Sequence, residues 1–581
     1  MEQRQQVNRS HLKVWVLTVI SLSALFGVQS IAAQIAPDNT LPAGERSQVV
    51  GNPNVQIDGG ARRGGNLFHS FSQFSIPTGG SAYFNNAADV QNIFSRVTGR
   101  SISNIDGLIR ANGTANLFLL NPNGILFGPN ASLNIGGAFV ATTATAIGFP
   151  NGEVFSSDAT QPLPSQLLTV NPNAFFFNQP TPQPIIDRST FDGMGLQVLP
   201  KQNLLLVGGP VQLDNGRIAS PGSYVELGSV GGVGTVNLAT AGEDWQLTIP
   251  DTVMRADVAL INNSRINVLA GDGGSIAIAA RNLLLNNGSR LRVGIDAGLG
   301  FVGAQAGGIQ IDATETIKLI DGATIRIEVL PGGQGNVGDM TITTGSLFLT
   351  GNSRLIAAVS GQGNVGRVTI NARDTVSFTG NSSVLGTVQP TGIGSNGGIS
   401  ITTGSFALKE GSQLIFSTSG QGNAGNITIH ARDRVSVDGE SLDDGNASTI
   451  FSRVDPSGVG QGGNVTITTG SLSLTNGGAV NTATDGQGNA GSVTIQARDF
   501  VQIRGTASVI TDNRSGVFTT ATEGSVGDGG DVTITTGSLS VSEQARIITD
   551  VRSRGKAGNI QIQASDAISF DGGDAMRRFM Q

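Results

Sequence analysis

The second half of this 581-residue chain is an internal repeat. The pentapeptide Ile-Thr-Thr-Gly-Ser occurs four times, and Ala-Arg-Asp occurs three times, at a matching interval after it. The glycines of the first series and the alanines of the second are Gly345, Gly404, Gly470, Gly537, Ala372, Ala431 and Ala497. Both series advance first by 59 and then by 66 residues. Two series that keep one offset indicate a chain built from repeated structural units.

Within a repeat, apolar residues alternate with polar ones. In "NITIHARDRVSVDG", Ile427, Ile429 and Ala431 share one parity, and Val435 and Val437 continue it after Arg-Asp. Period two predicts a strand with one buried face, interrupted by a corner at Arg-Asp. Gly-Gln-Gly-Asn segments precede the strands. Because Gly and Asn tolerate positive φ, these segments are predicted to turn the chain sharply. Short strands and corners repeated every ~30 residues predict an all-β fold, the coils of a parallel β-helix. A β-propeller is the alternative, but the hairpins of its blades are not evident.

Composition excludes several classes of protein. The chain is 38% hydrophobic and 13% charged, which is not the composition of a disordered protein. Its net charge of −7 argues against nucleic acid as a partner, because phosphate binding needs a basic face. Cysteine is absent, either by chance, through an oxidant-exposed habitat, or because a disulfide would hinder the threading of an exported chain through a narrow pore.

The N-terminus has the order of an export signal. Arg4, Arg9 and Lys13 precede an uncharged stretch, and small residues follow at Ser30–Ala33. Basic, apolar and then small residues predict a secretory signal peptide over residues 1–33, cleaved after Ala32 or Ala33. The apolar stretch is short for a permanent membrane anchor, which needs about 20 residues. The general secretion machinery is therefore an expected partner.

Two stretches carry a resemblance to a known family. They are "HSFSQFSIPTGGSAYFNN" (His69–Asn86) and "SNIDGLIRANGTANLFLLNPNGILFGPNASLNIGGAFVATT" (Ser103–Thr143). Both resemble the N-terminal secretion domain of two-partner secretion exoproteins, the filamentous haemagglutinin family. The resemblance implies a right-handed parallel β-helix. It also implies that this domain addresses the unfolded chain to a dedicated outer-membrane β-barrel transporter.

The secretion motif of that family falls on Asn121, Pro122, Asn123, Gly124 and Ile125. Pro122 fixes φ, Asn123-Gly124 can turn with positive φ, and Ile125 re-enters the core, so the motif predicts a rigid corner between two apolar strands. We expect this corner to stabilise the fold that the transporter recognises, and direct contact with the transporter is the weaker hypothesis. The other Asn-Pro-Asn triplets, Asn52–Asn54 and Asn171–Asn173, are interpreted as ordinary turns. A second family motif, Asn-Pro-Asn-Leu, is absent between Asn86 and Ser103, which indicates a variant branch.

Candidate catalytic residues are few. Arg373-Asp374, Arg432-Asp433 and Arg498-Asp499 recur in every repeat, whereas a catalytic site is usually singular, so they are interpreted as structural corners with paired charges. The histidines, His11, His69 and His430, form no evident triad or metal cluster with other residues. No catalytic residue, metal or cofactor is therefore expected.

The sequence thus predicts three parts: a signal peptide (residues 1–33), a two-partner secretion or haemagglutination activity domain (34–250), and a β-helical repeat passenger (251–581). The expected product is not an enzyme but a secreted or cell-surface exoprotein of Gram-negative type, which acts in adhesion toward a host or surface glycan or protein. The alternative is a secreted carbohydrate-active enzyme on a β-helix scaffold. Because no capping element is readable after Phe570, the last coil, Gly558–Phe570, is expected to expose its edge.

Overall fold

The computed structural model describes residues 34–161, 168–241, 244–507 and 513–579, so the predicted signal peptide lies outside the described residues. Over these ranges the regular structure is strand, apart from two short 3-10 helices at Ala43–Glu45 and Phe191–Gly193. No helix in these ranges is long and apolar enough to cross a membrane.

One long sheet, here called the main sheet, runs through the whole molecule. Its 23 strands are parallel except for two antiparallel pairings at the N-terminus, in which Gln34–Pro37 and Ala61–Arg63 each pair with Asn66–Ser75. They are Gln34–Pro37, Ala61–Arg63, Asn66–Ser75, Asn92–Val97, Ser103–Ile105, Asn116–Leu120, Ile125–Phe127, Phe139–Thr142, Ile185–Asp187, Leu204–Gly208, Val211–Asp214, Tyr224–Ser229, Val258–Ile261, Ser275–Leu285, Ile309–Leu319, Met340–Leu349, Val368–Phe378, Ile399–Lys409, Ile427–Asp438, Val465–Thr475, Val493–Arg504, Val532–Ser542 and Ile560–Asp571.

A second parallel sheet of 12 strands lines another side of the solenoid and is here called the second sheet. Its strands are Arg217–Ala219, Arg265–Asn267, Arg290–Ile295, Thr324–Val329, Arg354–Val359, Ser383–Val388, Gln413–Thr418, Thr449–Val454, Ala479–Thr484, Gly516–Ala521, Arg546–Val551 and Asp574–Phe579. Seven further strands form a five-stranded sheet near the N-terminus and a two-stranded ribbon: Ser47–Val50, Asn54–Gly59, Ser81–Phe84, Leu108–Ala111, Ser132–Asn134, Gly300–Ala306 and Gln334–Val337.

From Ser275 on, each coil contributes one long strand to the main sheet and one six-residue strand to the second sheet. The third side is held by single bridges from coil to coil, such as Gln362 to Ile393 and Ile393 to Gln421. Consecutive coils pair in parallel and in register, as the coils of a right-handed parallel β-helix do. The predicted fold is thereby confirmed.

The inward face of the coils is a continuous apolar core. Ile427, Ile429, Ala431, Val435 and Val437 are all at most 2% exposed, as their shared parity predicts. The corner at Arg-Asp does not end the strand, which runs from Ile427 to Asp438 and absorbs the extra residue as a register shift after Ala431. A bulge of this kind bends the strand while the ladder continues on both sides.

The repeat consists of two coils because two kinds of bend alternate. In one coil a single residue, Gly404, lies between the paired Thr403 and Ser405, and in the next coil Arg432-Asp433 fills the bend. A Cβ on Gly404 would lie 2.4 Å from the carbonyl oxygen of Asp374 and 2.9 Å from Nη2 of Arg432. The glycine is therefore required because the Arg-Asp bends of the coils on both sides come too close for a side chain.

Asparagines at the Gly-Gln-Gly-Asn turns tie each coil to the next. Oδ1 of Asn364 accepts the N–H of Ser395 at 2.8 Å, and Oδ1 of Asn423 accepts the N–H of Gln461 at 2.9 Å. The second glycine of these turns, for example Gly422 at φ +143°, takes the positive φ that the sequence predicts, whereas the asparagine does not. The asparagine thus acts through its side chain, which replaces a backbone acceptor at the corner.

The last coil exposes part of its inward row. Ile568 is 49% and Phe570 41% exposed. The residues that follow are not a loose tail, because Asp574–Phe579 forms a strand that pairs with Arg546–Val551.

A separate antiparallel sheet lies outside the solenoid in the first half of the chain and is here called the covering sheet. Its strands are Ala146–Gly148, Val154–Ser156, Ala174–Phe177, Gly234–Ala241 and Asp244–Thr248. It packs on the outward face of the main sheet and forms a second apolar core, which contains Phe68, Phe94, Phe118, Phe175 and Trp245. The main sheet is therefore buried on both faces in this region.

Candidate secretion domain and its corner

The predicted motif forms a hydrogen-bonded turn. The N–H of Gly124 donates to the carbonyl of Asn121 at 3.2 Å, which places Pro122 and Asn123 at the two central positions. Asn at the first position, Pro at the second and Gly at the fourth are the preferences of a type I turn. Gly124 takes φ +111°, as predicted, but Asn123 does not take positive φ. The turn is followed at once by Ile125, which is 2% exposed in the core.

The asparagine side chains of this corner point into the protein. Nδ2 of Asn121 donates to the carbonyl of Ser101 and to Oγ of Ser103, both at 3.0 Å, while its Oδ1 accepts the N–H of Asn123 at 3.0 Å. Nδ2 of Asn123 donates to the carbonyl of Gly99 at 2.8 Å. Asn121 is fully buried. These bonds fasten the corner to the preceding coil, and they leave the Asn121 side chain no surface to offer a partner.

The two other Asn-Pro-Asn triplets lie differently. Asn52–Asn54 is exposed along its whole length, and Asn171 and Asn173 are exposed on either side of the buried Pro172. Neither is followed by a residue of the main sheet. Of the three triplets, the one at Asn121 thus lies in a buried corner, whereas the asparagines of the other two are exposed.

Aromatic residues on the outward face of the main sheet hold the covering sheet. Phe68, Phe94 and Phe118 are register partners on successive coils and stack with ring centroids 5.0 and 4.8 Å apart. Trp245 of the covering sheet meets Phe118 edge to face at 5.7 Å. Offset and edge-to-face aromatic pairs add specificity to apolar burial. This column therefore determines where the covering sheet docks.

A buried arginine locks the covering sheet to the N-terminal strands. Arg96 is 0% exposed and donates through Nε to Oγ of Ser70 and through Nη2 to Oγ1 of Thr40, both at 2.9 Å. Its Nη1 donates to the carbonyl of Ser156, and its guanidinium lies 4.7 Å from the ring centre of Phe155. Burial lowers the pKa of Arg96 to about 10. Sequence reasoning missed this residue, because its partners lie in three separate segments of the chain.

His69, Asp187 and Glu226 are also buried in this half of the molecule. Burial lowers the pKa of His69 to about 3, and Nδ1 of that ring lies 3.0 Å from Oγ of Ser47. Burial raises the pKa of Asp187 to about 8 and that of Glu226 to about 7. His69 is therefore neutral at pH 7, and both acids hold their protons more strongly than acids in water do.

Beyond the covering sheet, the outward face of the main sheet is open. It forms a groove of about 1030 Å³ lined by Thr402, His430, Thr468, Gln496 and Thr535 and bordered by the arginines of the Arg-Asp bends. Each of these arginines pairs with the aspartate that follows it, Arg432 with Asp433 at 3.0 Å for example, and both side chains are more than half exposed. Among the residues described, no group of three or more His, Asp or Glu side chains is placed to hold a metal ion.

A comparison with known protein families identifies the first part of the chain. Residues 33–278 match the family model of the TPS secretion domain. Among solved structures, the chain is similar to the HMW1 secretion domain from Haemophilus influenzae, at 14% identity and a TM-score of 0.34, with 94% of this chain and all of that chain covered. No curated protein matches the chain. The assignment therefore depends on the family model, whose match contains the covering sheet, the aromatic column and the corner at Asn121. The chain carries at residues 33–278 a TPS secretion domain, the domain by which two-partner secretion exoproteins are exported.

Proposed function

We propose that the passenger of this exoprotein is an adhesive or surface-binding module without catalytic activity, delivered outside the cell through a dedicated outer-membrane transporter of the two-partner type. The observation that carries the proposal is the match to the TPS secretion domain, followed by a long solenoid whose outward face is open and polar. A repetitive open face suits binding to an extended partner, because it presents the same groups on every second coil.

The charged groups of the passenger support a binding role over catalysis. The Arg-Asp pairs of the main sheet recur in each repeat, and each is internally neutralised and solvent-exposed. A general acid or base needs a perturbed pKa and a sheltered position, which a repeated surface ion pair does not supply. Incubation of the purified chain with neutral and acidic polysaccharides tests the alternative of a carbohydrate-active enzyme. Release of reducing ends or unsaturated products would contradict the non-catalytic role.

The role of the secretion corner belongs to the same proposal. Because Asn121 is buried and bonded to the preceding coil, we infer that the corner acts by shaping the domain that the transporter recognises. Export is tested by fusing a reporter after Pro250, just beyond the covering sheet, and after Leu285, beyond the matched region. We expect secretion of the reporter in cells that hold the cognate transporter. Equal secretion from cells that lack the transporter would contradict the proposed route.

Surface binding is tested separately with the exported full-length product. Cells that display or receive the mature chain should attach to a glycan- or protein-coated surface, whereas cells that export only the part up to Leu285 should not. Attachment by both would transfer the binding role from the passenger to the secretion domain.

A further inference from the structure

Six arginines are gathered on the outward face of the second sheet within five successive coils. They occupy two neighbouring columns of the ladder, in which register partners stack directly. The first column holds Arg217, Arg265, Arg290 and Arg354, and the second holds Arg292 and Arg326. We call this group the arginine row.

The arginine row carries far more positive than negative charge. Its one carboxylate is Glu328, 2% exposed, which pairs with Arg292 at 2.6 Å and with Arg326 at 3.1 Å. Within the described part of the chain, the four arginines of the first column make no ion pair. Three of them donate to neutral oxygens: Nη1 of Arg217 to the carbonyl of Gly193 at 2.8 Å, Nη2 of Arg265 to Oδ1 of Asn263 at 3.2 Å, and Nε of Arg290 to the carbonyl of Gly288 at 3.3 Å.

Stacking like charges in a ladder costs stability. Neighbouring parallel strands are about 4.8 Å apart, and like charges directly opposite each other are destabilising. Together with burial, the neighbouring guanidinium groups lower the pKa of Arg265. The same chain avoids this cost on the main sheet, where Arg373, Arg432 and Arg498 each hold an aspartate at 2.9 to 3.0 Å.

We propose that the arginine row is a binding site for a linear acidic polysaccharide that runs along the solenoid axis. A row over five coils extends about 19 Å, so one small anion would neutralise only part of it, whereas a polymer reaches every coil. Guanidinium groups bind carboxylate and sulfate oxygens through two parallel hydrogen bonds. The site lies on a different sheet from the open groove and does not depend on the proposed adhesive role.

The surroundings of the row favour a glycan over a nucleic acid. Sequence-tolerant binding of single strands combines a basic groove with aromatic side chains on which bases stack. The outward residues that complete the two columns are Ala219, Asn267, Thr324 and Ile356, none of which is aromatic. Hydroxyl and amide groups beside guanidinium groups suit the hydroxyl-rich backbone of a sugar polymer.

The test uses the purified mature chain, residues 34–581, and three immobilised polymers of matched length: dextran sulfate, polygalacturonate and uncharged dextran. We expect binding to the sulfated polymer, the carboxylated polymer or both, and none to dextran. Binding should weaken as salt rises, because contacts to a polyanion release counterions. Equal retention on dextran, or no retention on either acidic polymer, would overturn the proposal.

Substitutions in the arginine row test whether the polymer binds there. Replacing Arg265 and Arg290 by Gln should weaken binding roughly tenfold and lower the slope of log affinity against log salt by about two. The matched control replaces Arg373 and Arg432 by Gln, which removes the same charge from the main sheet and should change affinity less than about twofold. An equal loss in both pairs would show general attraction and contradict a built site.

Thermal stability, a single-residue variant and a nucleic-acid ligand provide further tests of the arginine row. The variant at Arg265 and Arg290 should melt no lower than the wild type, since it relieves repulsion, so a loss of binding cannot be ascribed to unfolding. Arg354→Gln, at the exposed end of the row, gives a second and milder variant that should also weaken binding. Tighter binding to single-stranded DNA than to both acidic glycans would overturn the assignment of the ligand.

Discussion

One register-aligned column of outward-facing side chains on the main sheet is apolar in the secretion domain and polar in the passenger. In the secretion domain it is filled by Phe68, Phe94 and Phe118, which the covering sheet buries completely. In seven successive coils of the passenger, the register-aligned positions are hydroxyl residues left in contact with water: Thr341, Thr369, Ser400, Thr428, Thr466, Thr494 and Thr533. The backbone and the inward face are alike in both regions.

This contrast shows that inward-facing and outward-facing side chains of a coil have different roles. Apolar side chains at the inward positions, such as the buried Ile429 and Ile467, are sufficient to form the core of the solenoid. The outward parity decides whether another layer can dock, because a sheet face needs apolar side chains to receive one. Threonine is β-branched and therefore favours a strand, while its hydroxyl group keeps the outward face of the sheet polar and solvent-exposed. A secretion domain with its own second core and a passenger with an open face thus share one scaffold.

The largest expected effect breaks the aromatic column. Phe94→Ala removes a fully buried ring stacked between Phe68 and Phe118 and should cost about 3–5 kcal/mol. Trp245 is the one tryptophan beyond the predicted signal peptide, so its fluorescence reports on the covering sheet in chemical unfolding of the mature chain.

The aligned control is Thr428→Ala in the passenger, which should change stability by less than about 0.5 kcal/mol. Similar losses in both variants would mean that the outward column has the same role in both regions.

The next prediction concerns the close packing of alternating bends in the passenger. Gly404→Ala places a Cβ 2.4 Å from a backbone carbonyl, which cannot swing away, so it should cost about 1–3 kcal/mol as an overpacked site. Gly44→Ala is the control, because a Cβ there meets nothing within 4 Å. Far-UV circular dichroism during thermal unfolding measures both. A neutral Gly404→Ala would show that the bends are looser than their contacts indicate.

A comparable effect is expected at the corner of the secretion domain. Asn121→Ala leaves buried groups without their partners and should cost about 1–3 kcal/mol, and Gly124→Val strains a positive-φ site by a similar amount. Secretion should fall more than expression does. Asn173→Ala, in the exposed triplet, is the matched control and should be exported normally. Export of both corner variants at the wild-type level would make the motif dispensable here.

The sequence predicts the features that depend on local chemistry. Alternation around Ile427 and Ile429 gives the inward face, and Pro122 with Gly124 gives the corner, because these residues restrict their own backbone. The covering sheet was not predicted, since strands as short as Ala146–Gly148 become stable only when docked. A readable signal did exist: strands apolar on both parities, such as Asn116–Leu120, are buried on both faces.

The arginine row was missed for a different reason. Its members Arg217, Arg265 and Arg290 lie 48 and 25 residues apart, so no fixed period connects them. Loops of unequal length separate the strands, and only the observed register brings the side chains into one column. The Arg-Asp bends were predicted as paired charges because each pair is adjacent in sequence, and the structure confirms this pairing at Arg432 and Asp433.

The last prediction concerns pH dependence, and it sharpens the contrast because it arises where the covered half buries titratable groups. His69 has its pKa lowered from 6.5 to about 3, so its native form is neutral, and the stability it permits is lost as pH falls from 6.5 toward 3. Asp187 has its pKa raised from 3.8 to about 8, so its native form is protonated, and stability is lost as pH rises from 3.8 toward 8. Urea unfolding followed by Trp245 fluorescence measures the free energy of unfolding. That of the wild type should fall relative to that of His69→Phe as pH is lowered, and relative to that of Asp187→Asn as pH is raised. Differences that stay constant across pH would mean that neither group changes its protonation on unfolding.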